Sequence, residues 1–258
     1  MRDVFLTGDS HTAALRRGQT AIEADGGWPQ DLRLTIQPLG GGHLTREPFF
    51  IDRGDHAEIT AVEYRRRFDR LPLEHAAGAD TVYGFSAPLH SARIWRHPDW
   101  QNYAPAAMAL PGTPVSSGMV THLVLADQKH VLDLLALMTR IGRRVFVIEA
   151  PYPFHHHPAL RKSPAAVVRH LDRAYRAIVR SELARLEVPV VAVPQDCTED
   201  GFMRSEYGLP GDHHHGNERY GRTMMSEILA FLDRDWTAAP DVAVPPVGLR
   251  LSAEEMRA

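Results

Sequence analysis

Cysteine is nearly absent from this chain: Cys197 is the only one in 258 residues. A single thiol excludes an intramolecular disulfide and any cysteine-rich metal centre. Excess charge is missing as well. A formal net charge of −3 offers no electrostatic handle for nucleic acid or for an anionic membrane surface. No uninterrupted apolar run approaches the ~20 residues that a membrane-spanning helix needs. Met1-Arg2-Asp3 runs straight into Val4-Phe5-Leu6, without the basic-then-apolar pattern of a secretory leader. The expectation is a cytoplasmic protein with neither a membrane nor a nucleic-acid partner. What the chain does have is 44% hydrophobic residues, enough for one domain of this length to bury a sizeable core.

Strand-like and helix-like segments alternate. Val4 to Leu6, Leu32 to Ile36, Thr81 to Phe85, Arg144 to Glu149 and Val188 to Val193 read as five short buried strands. His11 to Ala24, Ala57 to Leu71, Thr121 to Arg140, a long segment opened by Ser163-Pro164, and Arg222 to Leu232 read as helices. Such alternation predicts an α/β fold, three layers α/β/α, with a central five-stranded parallel sheet in the flavodoxin-like order 2-1-3-4-5. The domain is expected over residues 1–235, with an irregular, aromatic-rich insertion at 87–120 that could serve as a lid. A Pro-rich extension occupies 236–258, and its Ser252 to Arg257 segment is amphipathic.

Chemistry concentrates at the two ends. Thr7-Gly8-Asp9-Ser10-His11-Thr12 follows the first strand and opens a helix. Glycine permits a tight backbone path, and a serine at such a start lies near unpaired N–H groups able to receive an oxyanion. Serine is equally a favoured helix cap, so this stretch alone carries little. Two hundred residues later, Asp212 and His215 lie three apart, just ahead of another helix. A nucleophilic serine needs a base and a carboxylate to orient that base. One loop supplies both if it folds back over Ser10.

At these blocks the chain resembles the GDSL/SGNH hydrolase family. Gly8-Asp9-Ser10 matches the family's first block, with His11 in place of leucine. Asp212-x-x-His215, with Gly216, Asn217 and Tyr220 following, matches its last. The resemblance implies Ser10 as nucleophile, His215 as general base, Asp212 as its orienting acid, and no cofactor or metal. It also implies an oxyanion hole, for which the Ser10 N–H and a glycine of Leu39-Gly40-Gly41-Gly42 (Gly42 or Gly41) are candidates. The family's third-block asparagine is missing from Thr81 to His90; Ser86 or His90 would have to donate in its place.

On the expected rim of strand ends, Asp9, His11, His90, Tyr152 and His155 are the candidate substrate contacts. The aromatics Tyr83, Phe85, Trp95, Trp100 and Tyr103 could stack on a sugar or close over a short acyl chain. These residues together point to a serine esterase acting on a small-molecule or carbohydrate ester through an acyl-enzyme on Ser10. Association with a second copy stays open. Two other readings compete: a catalytically silent binder of an acylated or glycan ligand, and a metal-dependent hydrolase. Fifteen histidines, with triplets at 155–157 and 213–215, motivate the latter. Against it, adjacent histidines cannot all point at one ion without strain, and neither triplet has the spacing of a helical zinc site.

Overall fold

The alternating pattern produces a five-stranded parallel sheet with helices on both faces. The computed structural model describes residues 2–74 and 81–234. The expected extension at 236–258 lies outside them.

In chain order the strands are β1 (Arg2–Gly8), β2 (Leu32–Ile36), β3 (Phe50–Asp52), β4 (Ala57–Ile59), β5 (Arg70–Leu71), β6 (Val82–Ser86), β7 (Tyr103–Pro105), β8 (Thr113–Val115), β9 (Arg144–Ile148), β10 (Val190–Val191), β11 (Thr198–Glu199) and β12 (Phe202–Met203). The helices are α1 (Thr12–Ala24), α2 (Val62–Arg65), α3 (Ala92–Trp95), α4 (Ser117–Arg140), α5 (Ala165–Arg185) and α6 (Glu218–Asp233). Across the central sheet the order is β2-β1-β6-β9-β10, every neighbouring pair parallel. The simple order 2-1-3-4-5 therefore describes this sheet only when the seven short strands outside it are left uncounted.

Period-two alternation divides the core into two layers. Val4 and Leu6 of β1, with Phe146 and Ile148 of β9, face α1 and α6 and meet Leu15, Met224, Met225 and Ile228. Phe5 and the β9 residues Val145 and Val147 point the other way, toward Val124, Val131, Leu135, Val168 and Leu171 of α4 and α5. Strands buried on both faces read as the continuous apolar runs seen here.

Three expectations fail locally. Ala57 to Leu71 is not a helix. Its start is β4, paired antiparallel with β3 and β5, and its helical part is the single turn α2. Val62, within that span, is 70% exposed. Antiparallel pairing with the strands on either side overrode the local helical period. Ser163 does not cap α5: Pro164 occupies the flanking position with no side-chain cap, and the helix starts at Ala165. The 87–120 segment is ordered, comprising α3, the paired β7 and β8, and the first turn of α4. Tyr83, Phe85, Trp95 and Trp100 are buried in the core, and only Tyr103 of the five aromatics is exposed. The indole N–H groups of Trp95 and Trp100 are committed to Ser91 Oγ and the Ile94 carbonyl. Four of these rings are thus packing residues and not a sugar platform.

Candidate active site

The parallel sheet aligns its carboxyl ends on one rim, where ligands bind in such folds. β1 delivers Ser10 there, and β6 runs through Ser86 toward His90. Gly8 is obligatory at the end of β1. Its φ is +142°, and a Cβ would lie 2.6 Å from Ser86 Oγ. The turn beyond it is closed by Thr12 N–H and Thr12 Oγ1 donating to the Asp9 carbonyl at 3.2 and 2.7 Å, and by His11 N–H donating to Asp9 Oδ1 at 3.0 Å. Ser10 is exposed between buried Asp9 and buried His11.

The last loop folds back onto this turn. His215 Nε2 lies 2.8 Å from Ser10 Oγ, and His215 Nδ1 lies 2.8 Å from Asp212 Oδ2. Asp212 Oδ1 accepts the backbone N–H groups of His214 and His215 at 2.7 and 2.9 Å. Burial opposes ionisation of Asp212, but the His215 ring and these two N–H donors outweigh it and hold the carboxyl well below the usual range. Asn217 anchors the loop: it caps α6 by accepting Tyr220 N–H at 3.1 Å and donates to the Glu206 and Gly208 carbonyls. Arg17 of α1 donates to the Gly216 carbonyl at 2.7 Å. The three residues form a serine–histidine–carboxylate relay of the kind used to activate a hydroxyl.

The two ends meet because α1 and α6 pack backbone to backbone. A Cβ on Gly221 would lie 1.9 Å from the Ala14 carbonyl oxygen, and one on Gly18 would lie 2.2 Å from the Gly221 backbone. An open groove of about 770 Å³ runs between these helices from Ser10, lined by Arg16, Arg17, Thr20, Pro38, Glu218 and Arg222 among others.

The oxyanion candidates separate. Gly41 N–H donates to Glu63 Oε1 at 3.2 Å, so it is already committed. Gly42 lies against the turn: a Cβ there would come 3.3 Å from Asp9 Cβ. Ser86 is 3% exposed, its hydroxyl packed beneath Gly8, which removes it from a substrate oxygen beside exposed Ser10. Two residues that sequence reasoning missed hold Gly42. Half-buried Arg93 donates to the Gly42 carbonyl and to Thr45 Oγ1, and pairs through Nε and Nη2 with Asp127 of α4. The sequence signal was Asp127 itself, a charge within the apolar stripe Val124, Val131 and Leu135 that requires a buried partner.

Of the expected substrate contacts, Asp9, His11 and His90 lie under the turn instead of on its surface. Asp9 Oδ2 meets His90 Nδ1 at 3.0 Å. Burial opposes ionisation of Asp9, but His11 and His90 reverse the balance and hold its carboxyl low. Burial depresses His11 to about 3 and His214 to about 2, so both imidazoles are neutral at ordinary pH. Tyr152 is covered by the Arg176 guanidinium, 3.8 Å from its ring centroid. His155 is exposed and stacks on Phe202 at 4.1 Å. The first triplet reaches the relay only indirectly, through His156 Nε2 at 3.1 Å from the Asp212 carbonyl.

No protein-family model and no curated protein sequence matches the chain. Solved structures do. A protein from Bacteroides fragilis assigned as an acylhydrolase aligns over 90% of this chain and 86% of its own, at 12% identity and a TM-score of 0.50. A lipase/acylhydrolase from Enterococcus faecalis aligns over 90% and 95%, at 15% identity and TM-score 0.47. A GDSL-like lipase from Bacteroides thetaiotaomicron aligns over 90% and 87%, at 12% identity and TM-score 0.46. Among the described residues, no helix is long and apolar enough to cross a membrane. The likeness to the Bacteroides fragilis protein is one of fold, a parallel sheet between helical layers.

Proposed function

We propose that the protein is a serine-dependent hydrolase of carboxylic esters, with Ser10 as nucleophile, His215 as general base and Asp212 as the residue orienting it. The observation that carries this reading is the unbroken relay from Asp212 through His215 to an exposed Ser10, 2.8 Å at each step. The Asp212 carboxylate can only accept, so His215 Nδ1 carries a proton and Nε2 presents its lone pair to the serine hydroxyl. Ser10 Oγ attacks the ester carbonyl carbon as its proton passes to His215 Nε2, and the carbonyl π pair moves onto oxygen. The Ser10 N–H and the Gly42 N–H are the donors best placed for that oxyanion, with Arg93 and Asp127 bracing the glycine loop. Collapse expels the alcohol, which takes the proton from His215, and leaves an acyl-enzyme. Water, deprotonated by His215, then releases the acid and returns the proton to Ser10.

The groove along α1 and α6 begins at Ser10 and is the natural path for one half of the ester. The buried aromatics of the 87–120 segment withdraw support from a carbohydrate platform, so a small acyl ester is the favoured class. Localisation in the cytoplasm and action without a membrane or nucleic-acid partner remain part of the proposal.

Intact-mass analysis after treatment with a fluorophosphonate tests the nucleophile. Ser10 Oγ displaces fluoride from phosphorus, so the native chain should gain one adduct and Ser10→Ala none. A folded native chain without an adduct, and without hydrolysis of a p-nitrophenyl ester above the Ser10→Ala level, would overturn the reading in favour of a silent binder.

A further inference from the structure

Behind the relay lies a cluster of imidazoles that ester hydrolysis does not use. His11 follows Ser10, His90 follows β6, and His214 precedes the catalytic base; the chain brings them from three separate loops. The His11 and His90 rings are 4.6 Å apart, His90 and His214 4.4 Å, and His11 and His214 5.1 Å. One ring nitrogen from each can be chosen so that all three lie within 4.8 Å of one another.

Both ring nitrogens of His11 and Nε2 of His90 are buried with no hydrogen-bond partner among the described residues. A buried polar nitrogen left unpaired is costly, so one nitrogen of His11 and Nε2 of His90, on rings packed against each other and against His214, call for a common partner. Asp9 supplies the rest of the pattern. Its carboxylate lies 3.0 Å from His90 Nδ1. A carboxylate accepts only, so the proton is on Nδ1 and the Nε2 lone pair faces the cluster. A carboxylate fixing the tautomer of a ligating histidine is the usual outer partner of a metal site. The other Asp9 oxygen is taken by the His11 backbone N–H at 3.0 Å, which ties two of the three loops to one carboxylate.

We propose that His11, His90 and His214 bind one divalent transition-metal ion of the zinc class, with Asp9 as the positioning carboxylate, and that the ion clamps the Ser10 turn, the loop after β6 and the Asp212–His215 loop together. Three neutral nitrogens suit zinc, with a fourth position filled by water from the side of half-buried His214. Nitrogens at the corners of a 4.8 Å triangle would lie about 2.8 Å from an ion at its centre. Reaching the ~2.1 Å of a zinc–imidazole bond takes less than about 1 Å of movement per ring. This set differs from both histidine triplets, since only His214 of one triplet takes part. It stands on the buried rings alone and holds whether or not Ser10 reacts.

The test is titration of the metal-stripped, untagged chain with cobalt(II), read by visible absorption, followed by elemental analysis for zinc after dialysis. The native protein should bind one equivalent with the intense visible bands of a four-coordinate site, and zinc should raise its melting temperature. A triple variant of exposed triplet residues, His155→Ala/His156→Ala/His213→Ala, should keep that equivalent. His90→Gln and His214→Gln should lose it, and Asp9→Asn should weaken it by roughly ten- to a hundredfold. If the buried His90→Gln variant does not fold, half-buried His214→Gln still decides. No four-coordinate cobalt spectrum, or binding lost in the triple variant and retained in His214→Gln, would overturn the proposal and assign the metal to the surface triplets. Fluorophosphonate labelling of the same preparations reports separately on Ser10.

Discussion

Gly18 of α1 and Gly221 of α6 lie with their backbones in direct contact, close enough that a Cβ on either would overlap the other helix. Ser10 sits at the head of one helix and His215 at the head of the other. The distance between Ser10 Oγ and His215 Nε2 is therefore coupled to how closely the two helices approach some two turns away.

Gly221→Val should force α1 and α6 apart, because its side chain has no space beside the Ala14 carbonyl. Overpacking of this kind costs about 1–3 kcal/mol or more. Thermal unfolding should show the loss, and fluorophosphonate labelling of the still-folded fraction should be slowed, since the serine-to-histidine distance lengthens. Native labelling at a reduced melting temperature would separate helix packing from relay geometry.

Asp212→Asn should retain the fold and lose turnover. The amide can donate to His215 Nδ1 and so favours the wrong tautomer, turning a proton toward Ser10. A fall of roughly a thousand- to ten-thousandfold in kcat is expected on a p-nitrophenyl ester, with KM little changed. A drop of under tenfold would count against Asp212 as the orienting acid.

Arg93→Met should leave the Asp127 carboxylate, whose side chain is 4% exposed, with only the Gln128 amide at 2.7 Å and the Arg46 guanidinium at 3.5 Å. Breaking a buried pair from one side costs ~3–5 kcal/mol, visible in chemical denaturation. The double variant Arg93→Met/Asp127→Leu should recover much of that stability. It should remain slow in catalysis, because the Gly42 carbonyl and Thr45 still lack their Arg93 donor. Recovery of both stability and rate would show that Arg93 acts on the fold alone.

Glu149 directly follows β9 and is buried, paired with Arg176 Nη1 at 2.9 Å and Arg180 Nη2 at 2.8 Å, and accepting Val193 N–H at 2.8 Å. Burial opposes its ionisation, but the two guanidinium groups and the backbone donor outweigh it, and its carboxyl is held below the usual range. A carboxylate lowered in the folded state contributes stability that is present above its ordinary value and lost as pH falls through the folded one. Nearby Asp172 is shifted the other way by its burial, despite Arg176, and partly offsets this. Melting temperature should therefore fall on acidification, and Glu149→Gln should flatten that fall while lowering stability at neutral pH. An unchanged acid limb in the variant would assign the effect to other carboxylates.

The strands were legible because each is a short apolar run closed by a turn residue. β2 has the expected bounds, and β9 differs from expectation by one residue. The Ala57 to Leu71 segment was misread because β4 pairs with β3 and β5, contacts that no local periodicity encodes. Ser10, Asp212 and His215 could be read from two short motifs. Gly42 could be separated from Gly41 only once Glu63 was seen to occupy the Gly41 N–H. Asp9, His11 and His90 were placed on the right rim but at the wrong depth, since spacing along a chain says nothing about which side of a turn is covered.

The sequence by itself determined the alternating α/β layers, through apolar periodicity, and pointed to Ser10, Asp212 and His215 as the residues to bring together, through two short motifs. Tertiary structure alone decided that the relay closes. A 2.8 Å contact across 205 positions depends on two glycines that let helices touch and on a cap at Asn217. It also gathered three histidines from separate loops into one buried cluster. Such convergence is a property of packing, where distance in space is unrelated to distance along the chain.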